Sequence, residues 1–268
     1  MEKKKIGFIG AGTMGFPLLC GAVKCFGAEQ ALFRCAFEEE NKKVAEKTGV
    51  ECASSLHDLV SRSSCVVLAI KPQFFEEVLS EISEDVFEGQ VFISLAPGIT
   101  TKYLSEKLGA KAKIIRTMPN TPAQVLEGMT AICYGNSKFS DEEKQLATKL
   151  FETVGRTVEL PEKLMDASIV ANGSSPAFMY MMIEALADGA VKYGIPRNLA
   201  YEMVAQTMIG SAKMLLETKE HPGKLKDNVC SPAGTTIAGV AALEEYGFRN
   251  AVIKACDACY EKAVSMKK

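Results

Sequence analysis

Two stretches of this chain carry residue types that could do chemistry. The first is Gly10-Ala11-Gly12-Thr13-Met14-Gly15, which follows the apolar run Ile6 to Ile9 and precedes a helical pattern from Pro17 to Val23. A strand feeding a glycine turn that opens a helix is the arrangement that holds the pyrophosphate of a dinucleotide. Gly10 permits the tight turn, Gly12 lets a phosphate approach the backbone, and Gly15 lets the helix pack close to the strand. The free N–H groups of the helix start then face the phosphates, where the helix dipole favours negative charge. The second stretch is Lys226-Asp227-Asn228-Val229-Cys230-Ser231-Pro232-Ala233-Gly234-Thr235-Thr236. Ser231, Thr235 and Thr236 offer hydroxyls, Gly234 allows close approach, and a helix from Thr235 through Glu245 would turn its free amides outward. Together these form a small carboxylate cradle. Ordinary N-capping by Ser231 or Thr235 explains the same residues equally well.

Composition narrows the chemistry. The chain has 268 residues, 47% hydrophobic and 24% charged, with a formal net charge of −2, so neither nucleic acid nor a membrane surface is expected as a partner. No apolar run approaches the roughly 20 residues of a membrane span, and Ala177 to Ile183 stops at Glu184. The charged start (Glu2, Lys3, Lys4, Lys5) leads into an apolar stretch broken by glycines, which is no signal peptide; a cytoplasmic location is expected. Nine cysteines are scattered along the chain, so reduced core thiols are the expectation. Cys256-x-x-Cys259 has no second pair and no nearby histidine, and no metal site is expected. With His57 and His221 the only histidines, a His-dependent triad is nearly excluded by counting.

The elements that must position these residues read as α/β, then all-α. Ala31 to Phe37 reads as a second strand, followed by Glu38-Glu39-Glu40 and a helix through Lys47. A carboxylate just past this strand accepts a hydrogen bond from an adenine ribose 2′-OH and repels a 2′-phosphate, so Glu38 or Glu39 leans towards NADH, softened by Lys42 and Lys43. An acidic, dipole-stabilised helix start is the other reading. Cys65 to Ile70, Val91 to Leu95 and Lys113 to Arg116 read as buried parallel strands. They end at Lys71-Pro72, Ala96-Pro97-Gly98 and Met118-Pro119-Asn120-Thr121-Pro122, turns expected to line the nicotinamide end of a cleft. Phe74 to Ile82 has helical spacing, and Thr100 or Thr101 caps a helix through Leu108. Thr130 to Tyr134 and Arg156 to Leu160 add strands around a helix from Asp141 to Val154. After Pro161 strands disappear. Helical patterns cover Met165 to Tyr193, interrupted at Gly173-Ser174-Ser175-Pro176, then Asn198 to Glu217 and Phe248 to Met266. Ala177 to Ile183 is apolar on every face, which predicts burial against a second subunit. The boundaries follow as 1–160, a Rossmann-type doubly wound sheet, and 161–268, an all-helical dimerisation and substrate-binding domain.

The glycine-rich opening, Ala69-Ile70-Lys71-Pro72, Met118 to Pro122, Gly173 to Ala177, His221-Pro222-Gly223 and Asp227 to Thr236 occur in that order. Together they closely resemble the pyrroline-5-carboxylate reductases, from about Ile6 to Lys262; the S-P-x-G-T-T loop is the most specific element. The resemblance implies hydride transfer from NADPH or NADH to a cyclic imine, giving proline. It implies that Gly10, Ala11, Gly12, Thr13, Met14, Gly15, Ala69, Ile70, Lys71, Pro72, Ala96, Pro97, Gly98 and Asn120 contact the cofactor, to which Glu38 is added from its place just past the second strand. It also implies that the loop of Ser231, Ala233, Gly234, Thr235 and Thr236 holds the substrate carboxylate, against the cofactor domain of a partner chain. Thr236 matches the family's threonine near the ring nitrogen and is the expected catalytic residue, donating a hydrogen bond to that nitrogen or to a relayed water. A homodimer, assembled further into a ring of five dimers, is implied as well.

Three positions depart from the family pattern. Pro97 stands for the usual Ala, and Phe37-Glu38-Glu39-Glu40 replaces a Ser/Pro-rich turn, which weakens the expectation of NADPH. Ala233 stands for the second Gly of a pair, a strained choice if the backbone there has positive φ. The β-hydroxyacid dehydrogenases share the opening, including Met14-Gly15, but rely on a lysine in the long following helix, where this chain has Lys192 only near the end. A dinucleotide-sensing regulatory protein would keep the glycine turn and have no use for the second loop.

Overall fold

The computed structural model describes residues 4–135 and 137–267. An eight-stranded sheet is built from β1 (Lys4–Ile9), β2 (Ala31–Arg34), β3 (Glu51–Cys52), β4 (Ser63–Leu68), β5 (Val91–Ser94), β6 (Lys113–Met118), β7 (Gly128–Cys133) and β8 (Gly155–Glu159), in the order 3-2-1-4-5-6-7-8. All neighbours are parallel except β6 and β7. Helices α1 (Gly15–Phe26), α2 (Glu38–Thr48), α3 (Leu56–Arg62), α4 (Phe75–Ile82), α5 (Thr101–Leu108) and α6 (Asp141–Glu152) connect and cover the strands.

The continuous apolar strands have a direct cause. Successive side chains point to opposite faces. Cys65 and Val67 of β4 and Val91 and Ile93 of β5 enter the core on one face. Val66, Leu68 and Phe92 enter the core on the other. Each such side chain contributes on the order of 2 kcal/mol by burial, so no buried position in these strands can be polar without an internal partner.

Chain order and sheet order part company between β3 and β4. The chain leaves the β3 edge and re-enters on the far side of β1. This switch point opens a crevice at the carboxyl ends of β1 and β4, where open parallel sheets bind ligands. Because β7 runs antiparallel to β6, the connecting segment with its 3-10 turn Thr121–Val125 also lies at that edge.

Several element ends differ from expectation. The second strand stops at Arg34, not Phe37. Asn41 takes over the Cys35 backbone, its Oδ1 accepting from Cys35 N–H at 2.8 Å and its Nδ2 donating to Cys35 O at 3.3 Å, and Phe37 is left exposed as the residue before α2. The strand expected from Cys65 to Ile70 is β4 and stops at Leu68, with a 3-10 turn at Pro72–Phe74 following. Thr100, not Thr101, caps α5, accepting from Tyr103 N–H at 3.1 Å. Thiol burial is also narrower than expected. All nine cysteines are free, but only Cys35, Cys65 and Cys133 are buried, while Cys20 and Cys25 are exposed. Burial pushes the Cys65 thiol up to about 12 and Cys133 to about 11, so neither is a nucleophile.

The chain forms two compact units: one from residues up to Pro176 together with Cys259–Lys268, the other from Ala177–Ala258. The first unit contains the sheet, α7 (Glu162–Ser168) and a π turn at Ile169–Gly173, so the interruption falls just before the Ser174-Ser175-Pro176 motif. Asn172 of the π turn donates to Met118 O at 2.7 Å and Met129 O at 2.9 Å. Arg116 of β6 is wholly buried, paired with Glu162 at 2.8 Å and Asp166 at 2.5 Å, and Asp166 is reached by Lys267 at 3.0 Å.

Helix α8 (Ser175–Lys192) begins in the first unit and continues in the second, which also holds α9 (Arg197–Thr218), α10 (Pro222–Val229), α11 (Thr235–Glu245) and the first part of α12 (Phe248–Ser265). Within the second unit only Ala187 and Ala200 are buried, while Tyr180, Met181, Ile209, Leu216 and Ile253 stand half or more exposed and Met179 nearly so. The segment Ala177 to Ile183, read as buried all round, is therefore largely open in the single chain. Helices this apolar with so little interior present large uncovered apolar faces in the single chain, the mark of an interaction surface.

Candidate active site

The glycine turn sits at the switch point, and its three glycines play different parts. Gly10 has φ +90, and a Cβ there would lie 2.7 Å from Ala69 O. Its N–H donates to Arg34 O at 2.8 Å, while Ala69 N–H donates to Ile9 O at 2.9 Å, so the turn is stitched to both neighbouring strands. A Cβ on Gly15 would lie 2.5 Å from Gly10 O and 2.8 Å from Ala69 Cβ, which is the close helix-strand packing expected of it. Gly12 has nothing within 4 Å of an added Cβ. Its glycine satisfies no internal packing demand, and the space beside it suits a ligand. Met14 at the start of α1 supplies no side-chain cap; Phe16 N–H donates to Gly12 O at 2.9 Å and Pro17 has no N–H, so within the first three helix positions it is the Gly15 amide that remains for an anion. A cleft of about 570 Å³ opens beside Ala11, Gly12, Thr13, Phe16 and Pro17, closed across by Gln124 and Leu126. These features fit a dinucleotide pyrophosphate.

The other expected cofactor residues divide. Ala69 and Ile70 directly follow β4, and Lys71 is exposed at the start of the 3-10 turn that begins with Pro72. Ala96 and Gly98 are buried and Pro97 exposed, with Gly98 at φ +76. Asn120 turns inward, its Oδ1 accepting from Met129 N–H at 2.8 Å, so that atom braces the loop. Glu38 begins α2 and is held by Arg34 Nη2 at 2.5 Å. Arg34, the last residue of β2, also donates to Ala53 O at 3.2 Å. Sequence reasoning missed Arg34, because the pair spans a strand end and a helix start, where no helical spacing rule applies. Lys43 is tied to Glu39 at 2.6 Å.

The second stretch folds as an exposed turn. Gly234 N–H donates to Ser231 O at 3.0 Å, with Pro232 second and Ala233 third at φ +54. Proline followed by positive φ marks a type II turn, whose third position favours glycine. Ala233 thus adopts the backbone its methyl resists. A Cβ on Gly234 would lie 2.3 Å from Ser231 Oγ, so the serine folds over a residue that must stay small. The capping expectation fails for both candidates: Gly234 occupies the N-cap of α11 with no side-chain cap. The amides of Thr235, Thr236 and Ile237 precede the first helical bond, Ala238 N–H to Gly234 O at 3.4 Å, and remain for an anion, with the Thr235 and Thr236 side chains exposed. His221 caps α10, its Nδ1 accepting from Gly223 N–H at 3.1 Å, a structural duty that reading the sequence did not assign.

Comparisons with known proteins bear on both units. Residues 162–266 match the family described as pyrroline-5-carboxylate reductase dimerisation. Residues 5–98 match the family described as NADP oxidoreductase, coenzyme F420-dependent. Pyrroline-5-carboxylate reductase of Escherichia coli K12 is 41% identical over 268 residues, covering 99% of each chain. That of Methanosarcina acetivorans is 41% identical, covering 96% of this chain and 97% of its own. Among solved structures, a Coxiella burnetii pyrroline-5-carboxylate reductase superposes with TM-score 0.91 at 30% identity, covering 100% of both chains. A Plasmodium falciparum pyrroline carboxylate reductase with NADP bound gives 0.88 at 32%, again covering 100% of both. A Mycobacterium tuberculosis 3-hydroxyisobutyrate dehydrogenase reaches 0.53 at 14% identity, covering 72% of this chain and 67% of its own, a likeness of fold alone. Lys192, the lysine weighed above against the β-hydroxyacid dehydrogenases, is the last residue of α8 and lies 5.7 Å over the Tyr193 ring.

Proposed function

The chain belongs to the pyrroline-5-carboxylate reductase family, and from that premise we propose how its residues divide the work. The reaction is reduction of the C=N bond of 1-pyrroline-5-carboxylate by NADPH or NADH, giving proline. The observation that carries this reading is the 41% identity across 99% of the chain, which spans the glycine turn and the Ser231–Thr236 loop alike. When bound, the reduced nicotinamide supplies a hydride to a ring carbon made electrophilic by protonation of its nitrogen.

The chain's own residues bind and orient. The backbone from Gly10 to Gly15 holds the pyrophosphate, and Ala69 to Pro72, Ala96 to Gly98 and Asn120 wall the nicotinamide end. The free amides at Thr235 and Thr236, with the Ser231 hydroxyl, hold the substrate carboxylate, which fixes the ring's orientation. Thr236 donates a hydrogen bond to the ring nitrogen, directly or through a water, as that nitrogen becomes an amine. Correct placement of the two reactants is worth on the order of 7 kcal/mol or more of the barrier. A chain with two histidines needs no stronger acid when the imine enters protonated. Glu38 faces the ribose 2′ position and, by neutralising Arg34, tilts the preference towards NADH.

In the helical unit, the exposed apolar faces support a dimer. We extend this to a ring of five dimers in the cytoplasm, in which residues 1–160 bind the nucleotide and 161–268 dimerise and bind substrate. Parallel assays of pyrroline-5-carboxylate reduction with NADH and NADPH test the reaction and the cofactor. Absence of turnover with both overturns the reading, and a light-scattering mass tests the ring.

A further inference from the structure

Arg116 is the hub of a buried ionic cluster that the reaction does not use. One arm runs through Glu162, whose Oε1 accepts from Arg116 Nη1 at 2.8 Å and from Thr101 N–H at 3.4 Å. Thr101 begins α5, three residues beyond Gly98. The other arm runs through Asp166, held by Arg116 Nη2 at 2.5 Å and by Lys267 Nζ at 3.0 Å. Residue 266 beside that lysine lies against the turn itself: a Cβ built on Gly98 would stand 2.9 Å from Met266 O and 3.6 Å from Met266 Cβ. One turn earlier, Ala263 is buried in an apolar cluster with Met118, Cys133, Met165 and Ile169. The two arms therefore meet the Ala96–Gly98 turn from both sides, one at the helix it feeds and one at its glycine. All these residues belong to the same compact unit.

We propose that Asp166 and Lys267 are positioning residues for cofactor binding, acting through the 263–267 segment that they hold against Gly98. The inference rests on reading Ala96–Gly98 as a wall of the nicotinamide end. Asp166 is nearly buried while Lys267 is half exposed, so the lysine can be changed at the surface without opening the core. Gly98 cannot escape the contact: at φ +76 it occupies a conformation that fixes where its carbonyl and amide point. Loosening residues 266 and 267 frees the turn to leave the shape that a nicotinamide needs.

The test uses the full chain as Lys267→Ala, Lys267→Glu and Lys267→Arg. Calorimetric titration with NADH and with NADPH gives the dissociation constants. Hydrogen exchange of the peptide covering residues 95–101 reports the turn directly. Lys267→Ala weakens both cofactors about fivefold, Lys267→Glu weakens them further by opposing Asp166, and Lys267→Arg restores wild-type binding. The loss is the same factor for both cofactors, exchange at residues 95–101 speeds up in parallel, and KM for pyrroline-5-carboxylate stays put. A lowered melting temperature with unchanged cofactor binding in Lys267→Glu overturns the proposal. A wild-type chain that binds neither cofactor would instead overturn the proposed function.

Discussion

Three alanines placed in one glycine motif should fail in three different ways. At Gly12 the backbone is not at positive φ and nothing lies within 4 Å of the new methyl. Gly12→Ala should therefore leave the fold intact or raise its stability by about 0.4–1 kcal/mol, through the restricted unfolded chain. In a protein of this size that is a rise of up to about 4 °C. The same methyl intrudes where the pyrophosphate approaches, at about 1–3 kcal/mol for an overpacked contact, so NADH binding should weaken on the order of 10- to 100-fold. At Gly15 the methyl meets Gly10 O at 2.5 Å and Ala69 Cβ at 2.8 Å. Two of the atoms in its way are backbone or fixed by it, so Gly15→Ala should lose about 1–3 kcal/mol of stability. Gly10→Ala adds the cost of left-handed backbone, about 1–2 kcal/mol, to a contact of 2.7 Å with Ala69 O, and should melt lowest. Thermal melts at one fixed protein concentration, paired with NADH titration, separate the cases. If Gly12→Ala melts alongside Gly15→Ala, or binds NADH like the wild type, then Gly12 is not a cradle for phosphate.

Thr236→Ala should lower kcat on the order of tenfold while leaving the melting temperature nearly unchanged; steady-state kinetics showing an unaltered kcat/KM would remove Thr236 from the mechanism. Ala233→Gly relieves about 1–2 kcal/mol of left-handed strain and gives back about 0.4–1 kcal/mol in unfolded-chain freedom. It should stabilise the chain slightly, whereas Ala233→Val should destabilise it, as read from denaturant midpoints. For Asp166, burial pushes the carboxyl up, but hydrogen bonds and charge from Arg116 and Lys267 outweigh it and hold the carboxyl below its usual range. Its contribution is therefore present above the ordinary carboxylate range near pH 4 and lost as pH falls below it. Urea melts at successive pH values should show the stability gap between wild type and Lys267→Ala closing as the pH drops through that window.

What could be read in advance depended on how local the determining interactions are. The strands β4 and β5 announce themselves because burial on both faces demands apolar residues, and the glycine turn because Gly10 and Gly15 answer steric demands a few atoms away while Gly12 leaves open the space a phosphate needs. The positive φ at Ala233 was foreseeable as a condition, since Pro232 before it already favours a type II turn. The helix α10 escaped because its cap is a histidine, a residue whose usual duties lie elsewhere, although Pro222 at its first position is a standard start. The end of β2 was misplaced because its terminator is the Asn41 side chain, six residues on. The bonds from Arg116 to Glu162 and Asp166 join residues 46 and 50 positions apart, and no periodicity within one segment encodes such a pairing. The openness of Met179, Tyr180 and Met181 in the single chain was equally illegible, because a run apolar on every face reads as buried whatever would cover it.

The polypeptide leaves the sheet-bearing unit after Pro176 and rejoins it at Cys259. During synthesis, then, the nucleotide-binding half cannot be finished when its strands have all emerged. At about 5–20 residues per second the intervening helices take several seconds to make. Through that interval Arg116, Glu162 and Asp166 have all been translated, and the site that Ala263 fills stays open. The nascent sheet is thus left waiting, with an apolar notch uncovered, until residues 259–267 clear the ribosome and seal it.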